Sequence, residues 1–204
     1  MIPFRDNIPS RSTPIITVCL ILINVVVFIY ELSLGEALEP FLSRFGVVPA
    51  AVAHWPQSEL PFLAIVIPYL TSMFLHGGWL HIIGNMWYLW IFGDNVEDRL
   101  GHFAFLAFYL LSGIGAGIVQ TMLNISSTIP SIGASGAIAG VLGAYLVSYP
   151  FARVLTLVPI FVFIQIIEIP AIIVLGFWFV MQFFYGAASL AATSVNQTGG
   201  VAWW

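Results

Sequence analysis

Apolar residues fill long stretches of this chain almost without interruption, and polar positions fall at the edges of these stretches or singly inside them. A membrane-spanning helix needs about 20 apolar residues. On that measure a first span runs from about Pro14 to Leu34, and a second covers Trp79 to Phe92, lengthened by the approach Tyr69–Leu75. Phe103–Leu123 makes a third, Gly133–Tyr149 a fourth and Ile169–Ala192 a fifth. A sixth starts at Gly199 and is cut off at Trp204. Val154–Ile167 is apolar too, but Pro159, Gln165, Glu168 and Pro170 divide it from the fifth span, so it reads as a partly interfacial connection. The expected fold is an all-α membrane protein with about five complete helices and a truncated sixth.

The connections are unequal. Gly35 to Pro68 holds Pro40, Pro49, Pro56 and Pro61 among Phe41, Phe45, Trp55 and Phe62. Such a segment is expected to lie partly in the membrane interface, with its rings at headgroup level. Asn124–Pro130 is a polar external link that leads straight into Ser135, placing that serine near the outer end of its helix. The first apolar run is too long for a signal-peptide core and has no small-residue cleavage site, so it reads as a retained helix. With no internal repeat and no composition shift, residues 1–204 form one domain, expected to be incomplete at its C-terminus.

Composition narrows the class. The chain is 60% hydrophobic and only 7% charged, with a mean hydropathy of +1.03. Soluble domains carry charge on roughly a quarter of their residues, so this is an integral, multi-pass membrane protein whose first partner is the lipid bilayer. All five cationic residues are arginine, the net charge is −4, and no basic patch suggests nucleic acid. Cys19 has no partner for an internal disulfide and reads as a small packing residue; no Cys/His cluster suggests a metal, and no cofactor is expected. Arginine placement sets the orientation. With the N-terminus cytoplasmic, Arg5, Arg11, Arg99 and Arg153 lie inside and only Arg44 outside.

Chemistry centres on Ser135, in the run Gly133-Ala134-Ser135-Gly136-Ala137-Ile138-Ala139-Gly140. A lone serine in a membrane helix means little, because it bonds back to its own backbone. Here Gly136 and Gly140 strip bulk from the helix and let a second helix close on it. Taken alone they are ordinary packing glycines, as Gly113 and Gly117 of the third span are expected to be. Upstream, His81 and Asn85 stand four residues apart and so share a helix face. The bland reading of that pair is an interhelical hydrogen bond. Beside a nucleophile, an imidazole and an amide are suited to hold an oxyanion, together with the backbone N–H groups at the start of the fourth helix.

Gly133-Ala134-Ser135-Gly136 preceded by His81-x-x-x-Asn85 resembles the rhomboid intramembrane serine proteases. The resemblance extends to Phe74-Leu75-His76, to Glu97-Asp98-Arg99-Leu100-Gly101 and to Trp178–Gln182, and covers nearly the whole chain. It implies a six-helix bundle with a water-filled depression open to the outside, Ser135 as nucleophile, and His81 and Asn85 in the oxyanion hole. It implies transmembrane proteins as substrates, cleaved near the outer face. The Gly35–Pro68 loop is then structural, and the Glu97/Arg99 pair serves the fold at a cytoplasmic turn, contributing little if exposed. Absence of further domains suggests a prokaryotic plasma membrane.

One element of the rhomboid pattern is missing. The family's catalytic histidine follows a glycine-rich start of the sixth helix, which Gly199-Gly200-Val201-Ala202-Trp203-Trp204 resembles, and the sequence stops there. The four histidines, His54, His76, His81 and His102, all precede Ser135. The general base is therefore expected beyond Trp204, and the 204-residue chain is expected to be inactive. Two alternatives stand beside a fragment: a pseudoprotease that binds membrane clients without cleaving them, and a base supplied by His81 or His76. His76 is expected at the outer mouth as an interfacial or loop-bonding residue, and His54 and His102 as solvated surface residues. Without a sixth helix the Gly136/Gly140 face would meet lipid, so a loosely packed bundle is expected.

Overall fold

The computed structural model describes residues 1–160 and 163–195. The expected sixth span, from Gly199, lies outside them. After a short strand β1 (Ile2–Asp6), helix α1 (Ile15–Ser33) buries Thr17, Leu20, Asn24, Phe28 and Glu31. These recur at three- and four-residue steps and form one stripe toward the bundle. Leu22, Val26 and Ile29, between them, are exposed on the face suited to lipid.

The long connection after α1 is built from short helices: α2 (Leu38–Phe45), α3 (Pro49–Ala53) and α4 (Phe62–Thr71). The chain then turns by 78° into α5 (Trp79–Leu100). That helix runs eight residues past the expected end at Phe92, because Asn95 and Glu97 lie on its buried side, as Val96 does, and have partners there. Gly101, at φ 83°, makes the break before α6 (His102–Leu123). Helix α7 (Ser135–Ser148) is buried on most sides, with Ala137, Ile138, Val141, Leu142 and Tyr145 all shielded. Among the described residues α1 and α6 are long and apolar enough to cross a membrane, and the bent pair α4–α5 is a third span if counted as one.

Packing of α7 corrects the expectation of an open glycine face. A methyl group added at Gly136 would collide with Ala116, and one at Gly140 with Ser112, so α6 already fills the Gly136/Gly140 face. Gly113 and Gly117 are packing glycines as expected, closed against Met73 and Tyr69.

The all-α expectation also needs correction. Strands β2 (Arg153–Ile160) and β3 (Phe163–Pro170) form an antiparallel hairpin, and β1 pairs with β2, giving the order β1-β2-β3. The connection Val154–Ile167 thus consists largely of two paired strands, and α8 (Ala171–Val195) follows β3 directly. In apolar surroundings a chain must pair its backbone groups, and strand pairing does so for this stretch. Val154 and Thr156 face inward and are fully buried. The N-terminal segment is strapped on by side chains of the helices: Trp87 Nε1 donates to the carbonyl of Pro3 (2.6 Å), Asn95 Nδ2 to that of Ile8 (3.1 Å), and the Tyr145 hydroxyl to the Asp6 carboxylate. Burial raises the Asp6 carboxyl above the ordinary carboxylate range, while the Tyr145 hydrogen bond works against that rise.

Glu97 holds the same end together, without Arg99. Its carboxylate accepts the backbone N–H groups of Ile16 (2.9 Å) and Thr17 (2.8 Å), the Thr17 hydroxyl (2.7 Å) and Nδ1 of His102. Glu97 is 1% exposed, so the expected surface pair is instead a buried cap on the first turn of α1, which has no capping side chain of its own. His102, expected to be solvated, is half-engaged by this carboxylate.

Replacing Glu97 with Ala should lower unfolding stability by about 2 kcal/mol or more, since several charge-assisted hydrogen bonds are lost at once. Arg99→Ala should leave the thermal midpoint in detergent nearly unchanged. Gly140→Val should cost about 1–3 kcal/mol by overpacking the α6–α7 contact, read as a lowered midpoint in the same measurement.

Candidate active site

Ser135 is the first residue of α7, and the segment before it is pinned by backbone bonds from two directions. Ser131 exchanges bonds with Val47 (2.7 and 3.1 Å), and the Gly133 N–H donates to the carbonyl of Ser72 at 2.8 Å. Gly133 has φ 122°, a conformation that side-chain-bearing residues rarely adopt, and this lets the chain turn into α7 beside the link after α4.

The Ser135 side chain is half-buried and lines a cavity of about 610 Å³. Ser72 and Met73 form one wall, Gly113, Ala116, Gly117 and Gln120 of α6 a second, and Trp178, Phe179, Gln182 and Phe183 of α8 a third. Among the described residues no side chain caps the start of α7, so its first N–H groups remain available as donors at the cavity, and the helix dipole there favours negative charge. A hydroxyl and uncapped backbone donors in one apolar cavity are the parts that an acyl-transfer site needs on the enzyme side, apart from a base.

His81 and Asn85 lie in a neighbouring polar cluster on α5. Asn85 is buried, and its Nδ2 donates to Nε2 of His76 at 3.1 Å. With the amide nitrogen turned toward the ring, Nε2 of His76 is the acceptor in this contact. The His76 and His81 rings meet edge to face, with centroids 5.0 Å apart. The His81 ring nitrogens are buried and, among the described residues, have no hydrogen-bond partner. Neither His81 nor Asn85 is among the residues lining the cavity at Ser135, and among the described residues no hydrogen bond joins either to Ser135.

His76 differs from its expected place at the mouth. It is 2% exposed, and its backbone N–H donates to the buried Glu31 carboxylate of α1 at 3.2–3.3 Å. The signal was present in the sequence: a glutamate inside an apolar span is costly unless something in the bundle engages it. His54 is exposed, with Nδ1 2.7 Å from the carbonyl of Ala50, as a loop histidine should be. Among the described residues no group of His, Cys, Asp and Glu is placed to hold a metal.

A polytopic membrane protein with a serine at the start of a glycine-packed inner helix is what this fold and site define. The family model described as the rhomboid domain matches residues 65–204, and the chain belongs to the rhomboid family. It is 38% identical over 72 residues to rhomboid-like protein 11, chloroplastic, of Arabidopsis thaliana, a match covering 35% of this chain and 25% of that protein. It is 35% identical over 99 residues to the presenilin-associated rhomboid-like protein, mitochondrial, of Homo sapiens, covering 47% and 26%. The chain thus matches about a quarter of the length of these relatives, which are chloroplastic and mitochondrial by name.

Gly133→Ala should lower stability by roughly 1–2 kcal/mol, since the alanine must hold an unfavourable φ. Gly115→Ala, on open surface of α6, should not. Thermal unfolding of both variants in one detergent checks the difference.

Proposed function

We propose that this rhomboid domain is the core of an intramembrane serine endopeptidase acting on single-pass transmembrane proteins near the outer face of the bilayer. The carrying observation is Ser135 at the uncapped start of α7, within a cavity walled by α6 and α8. Its Oγ attacks the scissile carbonyl carbon, and its proton passes to a base. Collapse of the tetrahedral intermediate expels the amine, which takes up that proton, and leaves an acyl-enzyme. Water, deprotonated by the same base, then hydrolyses the ester and frees Ser135. Backbone N–H groups at the start of α7, with Asn85 and His81 from the adjoining α5, are the proposed oxyanion donors. No cofactor takes part in this scheme.

The base in this reading is a histidine beyond Trp204, forming a Ser–His dyad within a six-helix domain. His76 is a poor substitute, because its Nε2 already accepts from Asn85. The proposed location is a prokaryotic plasma membrane, with the N-terminus and the Arg5, Arg11, Arg99 and Arg153 end cytoplasmic.

A second reading is favoured by the cavity lining, which holds no histidine among the described residues. The same domain would then bind membrane clients without cleaving them.

The test is cleavage of a model single-pass substrate in proteoliposomes by the gene product read through to its stop codon. Ser135→Ala should reduce cleavage by about 10³-fold or more, and Asn85→Ala by about 10²-fold. Retained cleavage in Ser135→Ala would overturn the assignment. Absence of cleavage with client capture intact in both native and Ser135→Ala forms would establish the second reading.

A further inference from the structure

The outward face of the three-stranded sheet changes character along its length. Arg5 pairs with Leu155, and Leu155 with Glu168, while Arg153 stands two positions from Leu155 on the same strand. Side chains alternate along a strand, so these four share one face, opposite the buried Val154 and Thr156. There the N-terminal strap and the strands enclose a cavity of about 410 Å³ lined by Arg5, Asp6, Asn7, Arg153, Leu155 and Glu168. Toward the hairpin tip the same face carries Leu157 and Ile166, and no charged residue occurs from Val154 to Ile167. Ile166 is 57% exposed.

The charges at the base of this face are unspent. Among the described residues neither Arg5 nor Arg153 has a carboxylate at ion-pair distance. The Asp6 carboxylate accepts the hydroxyl of Tyr145. Glu168 is exposed on the third strand, and among the described residues no ion pair joins it to either arginine. Two guanidinium groups and one separate carboxylate, with an apolar surface leading away from them, match a ligand that has an anion, a nearby cation and a hydrocarbon tail. The sheet also follows α7 at the end that carries Arg5, Arg11, Arg99 and Arg153, where a membrane protein meets lipid headgroups.

We propose that this cavity seats the headgroup of an aminophospholipid, with its phosphate between Arg5 and Arg153 and its ammonium on Glu168. The acyl chains run along the apolar part of the sheet toward the hairpin tip. The site lies at the opposite end of α7 from Ser135 and does not depend on the proteolytic reading.

The experiment uses delipidated protein in detergent, titrated with dioctanoyl phosphatidylethanolamine, phosphatidylglycerol or inorganic phosphate. Thermal shift and native mass spectrometry read binding. Phosphatidylethanolamine should bind, inorganic phosphate should neither bind comparably nor displace it, and Arg5→Ala/Arg153→Ala should weaken it at least tenfold. Arg5→Lys/Arg153→Lys should restore part of the loss. Glu168→Gln should weaken phosphatidylethanolamine several-fold while leaving phosphatidylglycerol unchanged, and this arm stands alone if the double alanine variant misfolds. Unaltered lipid binding in the double alanine or Glu168→Gln variant would overturn the proposal, as would binding of phosphate equal to that of the lipid.

Discussion

Everything around Ser135 depends on how closely α7 can approach α6. In a bilayer the hydrophobic effect does not drive helices together, so contact rests on packing between surfaces that fit. Gly136 against Ala116 and Gly140 against Ser112 leave no room for a side-chain carbon, and this sets the distance between the helices. Met73 closes from the other side against Gly113, which also faces Ala137. The serine at the head of α7 is thereby fixed beside the link that carries Ser72 and Met73, and the cavity is what remains between these elements and α8.

The opposite end is held by polar contacts. Glu97 on α5 reaches the bare first turn of α1, Asp98 accepts from the Ser12 hydroxyl at 2.6 Å, and Asn95 and Trp87 hold the strap that becomes β1. The Glu97, Asn95 and Trp87 contacts each satisfy a backbone group that would otherwise need another partner. Sequence separations of 80 to 87 residues across these bonds tie the N-terminal segment to α5.

Much of the helical frame was legible, because long apolar runs broken by proline, glycine and arginine have few other readings. Gly136 and Gly140 were recognisable as a contact face, although their partner was not: the helix they meet depends on which spans neighbour each other. The hairpin was hidden for a different reason. Thr156 and Gln165 are too few to give Val154–Ile167 a two-residue polar alternation, and its partner Ile2–Asp6 lies some 150 residues away. Its richness in β-branched residues was the signal available. At the site, Ser135, His81 and Asn85 stood out as polar residues in apolar segments. His76 did not, because its role is set by two partners, Glu31 and Asn85, that lie on different helices.

The shortness of α7 gives the segment α2–α4 a part in covering the chain that leads into it. Its 14 residues rise roughly 21 Å at about 1.5 Å per residue. The hydrocarbon core is about 30 Å thick. A helix of this length does not span that core, so at least one of its ends lies at hydrocarbon depth. Non-helical backbone is tolerated at that depth only where protein covers it or a polar cavity receives it. Val47 supplies the cover by pairing with Ser131, and the Ser72 carbonyl supplies the partner for Gly133. A short inner helix, backbone pairing of its leading segment with Val47 and Ser72, and a cavity at Ser135 thus belong to one arrangement.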